Sequence, residues 1–278
     1  MTVISKDGTP IACERSGSGP ALVIVDGAMC SRAFGPSAKL ASHLAAHFTV
    51  YTYDRRGRHQ SGDTQPYAPV REVEDLAAIV TAADGRAALL GLSSGAALSL
   101  EAAASGLPIT GVVAYEPPYI DDSGTGGGAL HEGALKRLLS AGDRAGALKY
   151  FLRDMVNVPA FIVGMMPMMR WVWPKLVAVA HTLPYDAAIL TSFRIPRERF
   201  ATIRVPTLVM NGGKTQPRLR DAARAIAAVI PGAEYRELPG QTHNVKPGVL
   251  APAVVEFVRG SDLESGRFSA IRGQSPSQ

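Results

Sequence analysis

Apolar and polar positions along the chain fall into two alternating textures. Short, nearly continuous apolar runs occur at 21–25, 49–53, 87–92, 109–115 and 207–211, flanked by more mixed runs at 10–15 and 233–238. Between them lie longer stretches in which alanine and leucine recur at helical spacing, at 36–47, 70–83, 94–104, 219–229 and 247–258. Runs without polar alternation are what strands buried on both faces require. Strand and helix in regular alternation predict a mainly parallel sheet with helices on both faces, an α/β fold.

The alternation fails between 120 and 204, where helical segments are broken by Pro159, Pro167, Pro174, Pro184 and Pro196. This stretch reads as an insertion. The expected organisation is a core made of 1–119 and 205–260, a helical insertion at 120–204, and an aperiodic, polar tail at 261–278 that is frayed or flexible. The glycine-rich segment 123–128 lacks the lysine and the strand-to-helix setting of a phosphate-binding loop, so it reads as a connector.

Composition narrows the function classes. Hydrophobic residues make up 46% and charged residues 19% of the 278, ordinary for a globular chain. The net charge of +5 is scattered, without an aromatic and basic recognition motif, so nucleic acid is not an expected partner. The two cysteines, Cys13 and Cys30, are too few for a disulfide framework or a cysteine metal site. The first eight residues lack the apolar stretch of a secretion signal, and a cytoplasmic location is the default expectation. The most apolar window, 160–169, is interrupted by Pro167 and falls well short of the roughly 20 residues that span a bilayer.

Gly91-Leu92-Ser93-Ser94-Gly95 fits G-x-S-x-G, and it sits where a buried strand gives way to a helix. Flanking glycines permit the sharp turn that exposes a nucleophilic hydroxyl at the sheet edge. The helix that follows offers its positive end and the Ser94 amide to a developing oxyanion. A serine hydroxyl needs a neighbouring base at neutral pH. Of the six histidines, His243 stands in the loop after the last strand, at the carboxyl edge where catalytic groups gather in such sheets. The others, His43, His47, His59, His131 and His181, lie in a surface helix, a turn or the insertion.

Taken with the order nucleophile then histidine, residues 1 to about 260 resemble the α/β-hydrolase superfamily. Asp54-Arg55-Arg56-Gly57-Arg58 ahead of Ser61-Gly62-Asp63 is similar to the loop after that fold's fourth strand, and the run from Val205 to Met210 to its strand before the usual acid. The resemblance implies a helical lid inserted after the sixth strand. It implies a second oxyanion amide from Ala28, with Met29 as alternate, in a loop where Asp26 replaces the family's common histidine. It also implies acyl transfer rather than dehalogenation or epoxide opening, which use aspartate where Ser93 stands.

The family's usual acid position is vacant, because Gly212-Gly213-Lys214-Thr215-Gln216-Pro217 contains no carboxylate and Asp221 lies within a helix. Glu116, at the end of the preceding strand and fixed by Pro117 and Pro118, is the favoured triad acid. It resembles the alternate acid of one subgroup of haloalkane dehalogenases. Asp121, Asp122, or a diad without acid are the other readings.

The insertion's Met165, Met166, Met169 and Trp171, together with Met29, are expected to line an apolar substrate pocket. The expected activity is therefore a serine hydrolase, carboxylesterase-like, cleaving an ester or lactone with an apolar acyl group. No cofactor and no metal are expected, and a homodimer is an open option. The rivals are a carbon-carbon or thioester hydrolase, cofactor-free oxygen chemistry, and a non-catalytic binding homologue.

Overall fold

The computed structural model describes the backbone of residues 1–120, 127–190 and 193–272, and side chains of residues 1–120, 130–190 and 193–260. Eight strands form one sheet: β1 (Thr2–Ile4), β2 (Pro10–Ser16), β3 (Ala21–Val25), β4 (Thr49–Tyr53), β5 (Ala87–Leu92), β6 (Ile109–Tyr115), β7 (Thr207–Gly212) and β8 (Glu234–Leu238). Their spatial order is β1-β2-β4-β3-β5-β6-β7-β8, parallel from β4 through β8 and antiparallel at β1 and β2. Seven of these match the runs read from the sequence to within a residue or so. The eighth, β1, is a three-residue edge strand with only Val3 buried, too short to leave a periodic trace.

Helices cover both faces. On one, α1 (Ser37–Leu44) and α11 (Pro247–Arg272) enclose a core of Leu40, Leu44, Phe48, Leu250, Val254 and Phe257 against Ile24, Leu90 and Val113. On the other, α2 (Pro69–Ala82), α3 (Ser94–Ala104) and α10 (Pro217–Val229) pack against Val23, Leu89, Val112 and Val209. Helix α11 runs past its expected end at residue 258, so residues 261–272, read from the sequence as an aperiodic tail, are helical. Residues 273–278 lie outside the described residues.

The insertion consists of α4 (Gly127–Ser140), α5 (Arg144–Tyr150), a π-helical turn at Phe151–Met155, α6 (Ala160–Met165), α7 (Trp173–Ala178), α8 (Leu183–Ile189) and α9 (Arg197–Phe200). It packs on the α3 side, and Leu135, Leu148, Leu176, Leu183 and Phe200 merge with that core. Among the described residues, no helix is long and apolar enough to cross a membrane.

Candidate active site

Parallel register brings the ends of β5, β6 and β7 side by side, with Leu92 opposite Tyr115 and Tyr115 opposite Met210. The residues that follow those ends therefore meet at one edge. Ser93 comes directly after β5 with φ 54 and ψ −123, a backbone conformation that an L-residue adopts only under constraint. The constraint is local packing. A Cβ on Gly95 would run into the Val25 carbonyl oxygen, and one on Gly91 would lie 2.5 Å from the Ala96 Cα, so both flanks must be glycine. The Ser93 amide donates to the Tyr115 carbonyl at 2.9 Å, and helix α3 starts at the next residue. As a first-turn group, the Ser94 N–H has no partner inside that helix.

Glu116 follows β6, is fully buried, and also has positive φ, at 49. Its amide donates to the Met210 carbonyl at 2.8 Å. The carboxylate is held from three sides. Oε1 accepts from the Gly212 amide at 2.8 Å, while Oε2 accepts from Thr215 Oγ1 at 3.0 Å and lies 2.6 Å from His243 Nδ1. The loop carrying His243 is fixed by Tyr115, whose hydroxyl donates to the Thr242 carbonyl at 2.6 Å, and by the Lys214 amide, which donates to the Gln241 carbonyl at 2.8 Å. A cavity of about 330 Å³ opens over this edge, and Ala28, Ser93, Ser94, Thr242 and His243 all line it.

The sequence profile of the alpha/beta hydrolase family matches residues 18–256. The chain belongs to that family. An alpha/beta hydrolase from Sphaerobacter thermophilus DSM 20745 is 53% identical, with a TM-score of 0.85 over 92% of this chain and 99% of that one. A thermophilic esterase from Thermogutta terrifontis, solved with malate bound, is 18% identical with a TM-score of 0.71 over 94% and 98% of the two chains. The enol-lactonase from Burkholderia xenovorans LB400 is 20% identical with a TM-score of 0.62 over 93% and 100%. At these lower identities the likeness is one of fold. Comparison with curated proteins gives no match.

In this α/β-hydrolase the sequence-derived residues fare unequally. Ser93, Ser94, Ala28 and His243 share the cavity, and Glu116 touches the histidine. Asp121 and Asp122 lie outside the described residues. The expected pocket residues need correction, since none of Met29, Met165, Met166, Met169 and Trp171 lines the cavity. Met165, Met169 and Trp171 are exposed, Trp171 at 89%; α6 turns a single residue, Val163, into the core and leaves Met165 outward, and Met169 and Trp171 follow in the exposed link to α7. Met29 and Met166 pack, half-buried, against the core. The apolar wall comes instead from Pro118, Ile120, Phe151, Met155, Leu190 and Phe193.

Pattern reading also missed a buried ionic cluster behind the cavity. Arg55 Nε and Nη2 donate to Glu72 at 2.6 and 2.9 Å, and its Nη1 donates to Asp186 at 2.8 Å. Arg58 Nη2 donates to both Asp186 oxygens at 3.0 and 2.8 Å, while its Nη1 donates to the Gly27 carbonyl at 2.6 Å. Ser94 Oγ donates to Asp186 Oδ1 at 2.7 Å. Burial opposes charge on Asp186, but Arg58 and Arg55 outweigh it and hold the carboxyl below the ordinary carboxylate range. One geometric result matters for chemistry. The Gly27 carbonyl and the Ala28 N–H belong to the same planar trans peptide, so a hydrogen bond that fixes the carbonyl turns the amide the opposite way.

Asp26, which replaces the family's common histidine, is 2% exposed, with the Ser37 hydroxyl as its neighbour but no hydrogen bond of regular geometry to either carboxylate oxygen. Burial pushes its carboxyl up from 3.8 to about 6. The folded protein thus holds this proton more tightly than the unfolded chain. Stability from this residue is complete below pH 4 and declines as pH rises through about 6, by roughly 3 kcal/mol in all. An Asp26→Asn variant is expected to melt above the wild type at pH 8, with the gap closing toward pH 4. Equal gaps at both pH values in thermal melts would show that the carboxylate is not the cause.

Proposed function

We propose that this α/β-hydrolase cleaves a carboxylic ester or lactone through an acyl-enzyme on Ser93. The observation that carries this reading is the 2.6 Å contact between Glu116 and His243 at the rim of the cavity into which the strained Ser93 turn opens. In the reaction, His243 takes the Ser93 proton as the hydroxyl attacks the substrate carbonyl. Glu116 keeps the proton of His243 on Nδ1, leaving Nε2 as the base, and stabilises the imidazolium that forms.

The amides of Ala28 and Ser94 receive the oxyanion, the first aimed by the Arg58 contact to the Gly27 carbonyl and the second by its place at the start of α3. His243 then protonates the leaving alcohol, and water, activated by the same imidazole, releases the acid and restores Ser93. The insertion, as a lid, supplies the apolar wall that excludes bulk water from this exchange.

A fluorophosphonate probe tests the assignment directly, because it phosphonylates only an activated serine. Stoichiometric labelling of the wild type and none of Ser93→Ala is expected, read by intact-protein mass. Label retained on Ser93→Ala would mean that another residue is the nucleophile.

A further inference from the structure

The turn between β7 and α10 contains no acid, and together with the first turn of α10 it brings two cations to the same cavity instead. Lys214 and Arg218 both line it, and among the described residues neither makes an ion pair. Arg218 is held only by neutral acceptors. Its Nε donates to Gln216 Oε1 at 2.9 Å, and its Nη2 donates to the Val156 carbonyl at 3.4 Å, which carries the guanidinium across to the insertion.

The contrast with Arg55 and Arg58, each bound to a buried carboxylate, is sharp. Burial lowers the pKa of Arg218, and no carboxylate among the described residues opposes it. Among the described residues, the one carboxylate on the cavity wall, Asp186, is already taken by two arginines and Ser94. Helix α10 adds modestly to the positive potential, since it begins at Pro217 without a side-chain cap, although the Leu219 and Arg220 amides already donate to the Gln216 carbonyl at 3.0 and 3.3 Å.

We propose that Lys214 and Arg218 form a carboxylate-binding subsite, so that the substrate is an ester or lactone bearing a free carboxylate, joined to the scissile bond by an apolar span. The proposal rests on the ester-cleaving reading of Ser93. A guanidinium fork matches a carboxylate in shape and charge, and a neighbouring ammonium supplies the second contact. The apolar span fits the wall of Ile120, Phe151, Leu190 and Phe193. The expectation of a wholly apolar acyl group thus narrows to an apolar body with an anionic end.

Two pairs of esters test this, with the carboxylate on the acyl side (monomethyl adipate against methyl hexanoate) or on the alcohol side (hexanoyl glycolate against ethyl hexanoate). In at least one pair the wild type is expected to favour the anionic ester by roughly tenfold in kcat/KM, mostly through KM, with the preference shrinking as salt is raised. The double variant Lys214→Gln, Arg218→Gln is expected to bring that ratio near one, and Arg218→Glu to push it below one.

Calorimetric titration of adipate reads the subsite without chemistry. Binding by the wild type that weakens about tenfold in the double variant supports the subsite even if no ester is turned over, which would count against the reaction alone. Ratios near one in both pairs, or adipate binding that is absent or unchanged in the double variant, overturn the subsite while leaving Ser93 labelling to speak for the reaction.

Discussion

Glu116→Gln is expected to lower kcat by about 10³- to 10⁴-fold while leaving the fold intact. The hydrogen bonds around the carboxylate determine why. Oε1 faces the Gly212 amide, a donor that demands an acceptor, so the glutamine oxygen is drawn to that side. Its NH₂ group then faces His243 Nδ1, which must accept. The imidazole proton is forced onto Nε2, the nitrogen that should receive the Ser93 proton, and the stabilisation of imidazolium is lost with the charge. Thr215 can turn its hydroxyl to accept from the new NH₂, so the melting temperature should move little. Turnover within about threefold of wild type would remove Glu116 from the triad.

Asp186→Asn is expected to be the most destabilising conservative change in the site. It leaves the Arg58 guanidinium buried without an anion, and breaking a buried pair in this way costs about 3 to 5 kcal/mol. For a chain of this size that corresponds to a fall in Tm on the order of 10 °C. Activity of the folded fraction should fall too. Arg58, no longer held in place by Asp186, loses its grip on the Gly27 carbonyl and with it the aim of the Ala28 amide, and one oxyanion donor is worth about 10²- to 10³-fold in kcat. Calorimetry and initial rates check both parts; a Tm change under about 2 °C would show that the cluster tolerates the lost charge.

The sheet was legible because strands buried on both faces admit no polar residues, which makes runs such as Ala87–Leu92 conspicuous. The Ser93 turn was legible because its glycines are demanded by backbone sterics within five residues. Glu116 could be reached from the empty acid position after β7 and the two prolines that fix its own strand end. What stands in that empty position, Thr215 and the Gly212 amide as ligands of Glu116, has no local signature. Nor does the pairing of Arg58 with Asp186, separated by 128 positions and made only when the insertion docks. The methionines at 165, 166 and 169 misled because composition says nothing about which side of a short, proline-broken helix faces inward. Lys214 was read only as part of a stretch without an acid, and Arg218 not at all, although both line the cavity.

The ionic attachment of α8 has a mechanical consequence for access to the nucleophile. Asp186 ties the rear of the roof to two core arginines and to the turn beside Ser93. Freeing that corner would strand buried charge, so it is the most firmly anchored part of the insertion. The stretch ahead of Leu183, where Met165, Met168, Met169 and Trp171 face the solvent, has no comparable anchor of buried charge in α6 or α7 among the described residues.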